Sequence, residues 1–89
     1  MRLISQDGIN GVFDFPYEKC IVYIYNDMKT IKIQPVGEEN SQFMVARYST
    51  ETKALKVMEM LREEYLETVY DYRTKPKVFQ FPKDEDVEV

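Results

Sequence analysis

STETKALKVMEMLREEYLETVY, residues 49–70, decides the fold, because it is the one stretch with a sustained helical period. Ala54, Met58, Leu61, Tyr65 and Val69 recur at spacings of three or four and share one face, which Leu55 and Val57 widen on either side. Lys53, Lys56, Glu59, Glu63, Glu64 and Glu67 fill the opposite face. A one-sided apolar stripe of this kind belongs to a surface helix packed on something else. Ser49 suits the N-cap, since its hydroxyl can accept from an orphan amide of the first turn, and Thr50 is the near-equal alternative. Glu51 then falls where the positive end of the helix dipole favours a carboxylate. Thr52 stands where a capping box would place Glu or Gln. Met60 lies on the polar side and Leu66 at its flank. Glu59, Glu63 and Glu67 stack four residues apart, a repulsion of about 0.2–0.5 kcal/mol per pair that Arg62 relieves in part.

Outward from the helix, the chain reads as short strands. Gln42–Tyr48 (QFMVARY) leads straight into the cap. Thr30–Gln34 (TIKIQ) alternates, with Ile31 and Ile33 inward and Thr30, Lys32 and Gln34 outward, and Pro35 ends it. Cys20–Tyr25 (CIVYIY) is β-branched and aromatic throughout. Ile21, Tyr23 and Tyr25 face one way and Val22 and Ile24 the other, so this strand is expected to be central or to meet a second surface. Asn26–Lys29 turns it into its neighbour. Arg2–Gln6 is a first strand. Asp7-Gly8 and Asn10-Gly11 are turn signals three residues apart, so they form one hairpin or an irregular excursion, with Val12–Phe15 returning before Pro16. After the helix, Asp71–Lys77 is a charged loop, and Val78–Phe81 (VFQF) is a last strand that pairing with the first would tie into the sheet. The expected class is α+β: a small, mainly antiparallel sheet of about five to six short strands, one long helix packed on one face, and the final strand after it.

Residues 1–82 are expected to form one domain and residues 83–89 an acidic tail. The chain has 16 acidic and 12 basic residues, a net charge of −4. Lys83–Val89 holds four of those acids and one base, leaving 12 acids against 11 bases in the body. A nearly neutral body has no basic stripe, which makes direct nucleic-acid binding an unfavoured reading. Cys20 is alone, so no disulfide framework is expected, and a reducing cytoplasm is. The opening MRLISQDG has no apolar core of signal-peptide length, and no stretch approaches the ~20 apolar residues of a membrane span.

Residue types also bear on chemistry. There is no His, so the commonest general base and metal ligand is missing. Ser5, Ser41 and Ser49 therefore have no imidazole to activate them, and Cys20 opens an apolar strand as a packing thiol would. Asp7, Asp14, Glu38-Glu39 and Asp84-Glu85-Asp86 match no calcium-loop spacing, and Gly8, Gly11 and Gly37 never cluster before a helix. The expectation is a non-enzyme with no cofactor and no metal. The aromatics point to association instead. Seven Tyr and five Phe in 89 residues exceed what so small a core buries completely. Tyr17, Tyr23, Tyr25, Tyr48, Tyr70 and Tyr72 are the rings available to an exposed patch, which is weighed against rings half buried with their hydroxyls in water. The candidate interaction residues are Tyr23 and Tyr25 on the strand face, and Glu59, Met60, Glu63 and Glu67 on the outer helix face, where a basic partner would dock.

Four blocks carry a resemblance: MRLISQDG (1–8), PYEKC (16–20), ARYSTETKALKVMEMLREEY (46–65) and VFQFPKDEDVEV (78–89). Together they resemble a family of short uncharacterised proteins of prophages and mobile elements in Firmicute bacteria. Asn10-Gly11 departs from that pattern as extra sequence, and residues 20–34 match only as a succession of strands. The resemblance implies a bacterial cytoplasm and an accessory role, and it transfers no functional residue. The leading expectation is a small accessory protein that binds protein, itself included. The alternative is an acidic decoy or regulator of a nucleic-acid-binding protein, working through residues 83–89.

Overall fold

The computed structural model describes residues 1–6, 15–38, 40–70 and 78–88. In chain order it has β1 (Arg2–Ile4), β2 (Phe15–Pro16), a 3-10 turn (Tyr17–Lys19), β3 (Cys20–Ile24), β4 (Thr30–Pro35), β5 (Phe43–Arg47), α1 (Glu51–Tyr70), β6 (Val78–Gln80) and a second 3-10 turn (Asp84–Asp86). The class is α+β. The expected hairpin around Asp7-Gly8 and Asn10-Gly11 and the Asp71–Lys77 loop lie outside the described residues.

The single sheet expected is instead two. One has the order β3-β4-β5 and is antiparallel; the other has the order β2-β1-β6. In the second, β2 runs antiparallel to β1 and β6 runs parallel to it, with Leu3 opposite Phe79. The last strand does pair with the first. The division has a physical origin at both possible junctions. Between β2 and β3 the chain coils through Tyr17–Lys19 and leaves the ladder. At β5, Gln6 rather than a full strand meets the open edge. Its backbone N–H donates to the Val45 carbonyl at 2.6 Å, and its side-chain oxygen accepts from the Arg47 amide at 3.0 Å. The same side chain donates from Nε2 to the Pro82 carbonyl at 3.0 Å, so one residue stitches together both sheets and the segment after β6.

Local chemistry explains the strand ends. Asp27 forms the β3–β4 turn: Oδ1 accepts from the amides of Lys29 and Thr30, each at 2.9 Å, and Oδ2 from the Thr30 hydroxyl at 2.6 Å. Thr30 is itself buried, against its expected outward position, with its hydroxyl satisfied by Asp27. Pro35 pairs with Cys20 rather than ending the strand before it. The Val36 amide donates to the Lys19 carbonyl, so position 35 falls in a non-hydrogen-bonded pair where proline's missing N–H costs no ladder bond. In β5, Ala46 opposes Ile31 and Met44 opposes Lys32, which leaves Val45 as the extra residue of a bulge. The bulge turns both Val45 and Ala46 inward.

One cluster joins the elements: Leu3 from β1, Ile31 and Ile33 from β4, Val45 and Ala46 from β5, Tyr48, Ala54, Val57 and Leu61 from α1, then Phe79, Phe81 and Val87. The buried side of α1 is therefore centred on Val57. Leu55 is exposed, while Met60, expected on the polar side, packs against the cluster with Met58. Thr50, not Ser49, caps the helix, its hydroxyl accepting from the Lys53 amide at 3.2 Å.

Candidate interaction surfaces

Ser49 is released from capping because Asp84 claims it. The Asp84 Oδ1 accepts from the Ser49 amide at 2.7 Å and from its hydroxyl at 3.0 Å. Lys53 Nζ donates to the Asp84 carbonyl at 2.9 Å and reaches Oδ2 at 3.4 Å. The Tyr48 hydroxyl donates to the Pro82 carbonyl at 2.7 Å, and burial, with the Asp84 charge nearby, pushes its pKa up. Val87 closes the arrangement as part of the core. The segment expected as an acidic tail is thus anchored at two points, Asp84 on the start of α1 and Val87 in the core, while Glu85, Asp86 and Glu88 are exposed and Val89 lies outside the described residues. Three of the four acids of this segment, Asp84, Glu85 and Asp86, form the 3-10 turn.

The carboxylates used in these turns titrate low. Asp84 is held below the usual range chiefly by the Ser49 amide, then by the Ser49 hydroxyl and Lys53. Asp27 is held down at about 2, first by the Thr30 hydroxyl and then by the Lys29 amide. A folded pKa below the unfolded value of about 3.9 means stabilisation that is present above that pH and lost on acidification through the folded value. The denaturant midpoint should therefore be flat near neutrality and fall as pH drops from about 4 toward 2. Asp84→Asn should flatten part of that slope, and an unchanged slope in the variant would contradict the docking.

The strand face is the first candidate surface. Tyr25 donates its amide to the Thr30 carbonyl at 2.7 Å, and the register opposes Tyr23 to Lys32 and Ile21 to Gln34. Lys32 in turn opposes Met44. Val22 and Ile24 pack on the core, so Ile21, Tyr23, Lys32 and Met44 occupy the outer face. Ile21 is 53% exposed and Met44 55% exposed. Tyr25 is also exposed, with Lys32 Nζ 3.5 Å from its ring centroid in a cation–π contact. Tyr23 is half-buried, and its hydroxyl is occluded without a hydrogen-bond partner among the described residues. Among the described residues β3 is an edge strand, which rules out the central position, the first of the two alternatives expected for it. Its apolar residues on both faces reflect a core on one side and this open patch on the other.

The helix face is the second. Glu59 and Glu63 are exposed, Met60 is half-buried against the core and so cannot be the apolar contact of a docking site, and the Glu67 side chain lies outside the described residues. Among the described residues, the exposed large apolar side chains of α1 are Leu55 and Leu66. Of the other rings available to a tyrosine patch, the described ones are taken up inside the fold. Tyr48 is in the core, and Tyr17 stacks on Tyr65 at 4.4 Å between centroids. The Tyr70 side chain and Tyr72 lie outside the described residues. Ile21 and Met44 were missed as surface residues; the outward assignment of Lys32, carried across the ladder, was the signal that could have found them.

Among the described residues no group of three His, Cys, Asp or Glu side chains is placed to hold a metal ion, and no helix is long and apolar enough to cross a membrane. Comparison with protein-family models, curated proteins and solved structures returns no match.

Proposed function

We propose that this chain is a small non-enzymatic accessory protein that acts by binding protein through the outer face of the β3–β4–β5 sheet, in the bacterial or prophage setting its sequence resemblance implies. The observation that carries the reading is the exposure of Ile21 and Met44 around the Tyr25–Lys32 pair. An apolar patch with an aromatic ring and a cation beside it has the make-up of an interface centre, where large rings give contact area with few rotors. The strand edge adds a second means of recognition. Tyr25 and, by alternation, Tyr23 and Ile21 bond to β4, so Val22 and Ile24 direct their backbone groups to the other edge. Among the described residues no strand pairs there, as strand addition requires.

The test compares wild type with Ile21→Ser/Tyr25→Ser in affinity capture from a nuclease-treated Gram-positive lysate, read by quantitative mass spectrometry. Both side chains are exposed, so the variant should keep the wild-type circular dichroism and lose about tenfold or more of a specific partner. Equal capture by the folded double variant would refute this face. The decoy reading is not adopted, because Asp84 is engaged by Ser49 and Lys53 and Val87 sits in the core, which leaves Glu85, Asp86 and Glu88 as the exposed acids of the segment.

A further inference from the structure

The outward side of α1 carries a feature of a different kind. Leu55 is 49% exposed and Leu66 46% exposed. Between them lie Glu59 and Arg62, both exposed. The spacings are four, three and four, so the four side chains form one stripe, displaced from the buried Ala54–Val57–Leu61 side. At 1.5 Å rise per residue the stripe is about 16 Å long.

The order of residues along it is the informative point. Read forward it is leucine, acid, base, leucine; read backward it is leucine, base, acid, leucine. Two copies of α1 laid antiparallel, with the two-fold axis between Met60 and Leu61, oppose Leu55 to a second Leu66 and Glu59 to a second Arg62. The two-fold then repeats both contacts in reverse, as an isologous interface requires. Each contact is apolar on apolar or acid on base. A parallel arrangement would instead face Glu59 with Glu59 and Arg62 with Arg62. A purely basic or purely acidic partner would leave one of the two charges against its like.

We propose that this stripe is the seam of an antiparallel homodimer, with α1 of one chain against α1 of a second copy. The proposal rests on reading the chain as an association module, and it uses a face separate from the β3–β4–β5 surface. Two leucines per copy make a small patch, below the ~1,200 Å² of standard specific interfaces. The dimer is accordingly weak, with a dissociation constant on the order of 100 μM.

Sedimentation equilibrium on the full chain and on two single variants, Glu59→Arg and Arg62→Glu, tests it. Each variant alone faces like charges across the seam and should self-associate about tenfold or more weakly than wild type. An equimolar mixture of the two sets a chain with two arginines against a chain with two glutamates. It should associate to within about threefold of wild type. Each variant carries like charges at positions 59 and 62 of its own helix, so mixing can restore only what forms between chains. Both positions are exposed, and circular dichroism confirms that each variant is folded. Wild type that stays monomeric up to about 1 mM would overturn the dimer. So would folded variants that self-associate like wild type, or a mixture that stays monomeric. A monomeric wild type whose partner capture still depends on Ile21 and Tyr25 overturns the dimer alone. A dimer that behaves as expected, beside capture indifferent to Ile21 and Tyr25, overturns the sheet reading alone.

Discussion

Replacing Phe81 by alanine is expected to cost about 3–5 kcal/mol, the largest single-residue loss in this chain. Phe81 is 1% exposed and meets Phe79 edge to face, with ring centroids 5.2 Å apart and planes at 86°. Its amide donates to the Ile4 carbonyl at 3.1 Å, which fixes the exit of β6 against β1. The next residue, Pro82, supplies the carbonyl that both Gln6 and Tyr48 use. Removing the ring therefore leaves a cavity where the second sheet, the start of α1 and the C-terminal turn converge. Against a total of about 5–15 kcal/mol for a domain, such a loss leaves little margin. For a chain of this size it lowers the melting temperature by roughly 12 °C or more. Urea denaturation followed by far-ultraviolet circular dichroism measures it, with Phe81→Leu as a variant that retains most of the volume and should lose much less. A loss below about 1 kcal/mol for Phe81→Ala would mean that the ring is not packed as described.

How much of this was legible in the sequence depends on how local each interaction is. α1 was legible because its period is written into consecutive residues, and Ile31 and Ile33 face inward because a strand alternates. The face of α1 was read one step off. Treating Met60 as polar-side and Leu55 as core-side placed the centre near Met58, whereas the core takes Val57 as its centre and admits Met60. Period alone locates a stripe to within a residue, and tertiary packing chooses between neighbours. The split into two sheets was not legible, because it turns on Gln6 reaching Val45 and Arg47, some forty positions away, instead of a longer strand doing so. Of the candidate site, Tyr25 and the outward Lys32 were readable from alternation. Ile21 and Met44 were not singled out, since whether an outer face is covered is decided by elements distant in sequence. The charge-symmetric stripe of Leu55, Glu59, Arg62 and Leu66 was present in the letters, yet its significance needed the exposure of both leucines.

Truncation after Pro82 is expected to destabilise the whole domain, not merely remove a charged end. An acidic run with two valines reads as solvated, because the partners of Asp84, Ser49 and Lys53, lie more than thirty residues upstream. Once folded, Val87 is 6% exposed within the core cluster, and burying such a side chain contributes about 1.5–3 kcal/mol. The truncation also strips Asp84 from the Ser49 amide and hydroxyl and from Lys53, which loosens the first turn of α1. Val87 alone translates to a fall of roughly 10 °C in melting temperature for a domain of this size. Val87→Ser and Asp84→Asn, made separately, divide the loss between apolar burial and the capping bonds. Only Asp84→Asn should blunt the acid-dependent part. A truncated chain that melts with full-length protein would show that the segment is a free tail. That result would return the acidic-decoy reading to contention, because the carboxylates would then be available to a basic partner. The expected loss of stability instead ties Asp84 and Val87 to folding, and it means that any binding defect of the truncation must be judged against the fraction of chain still folded.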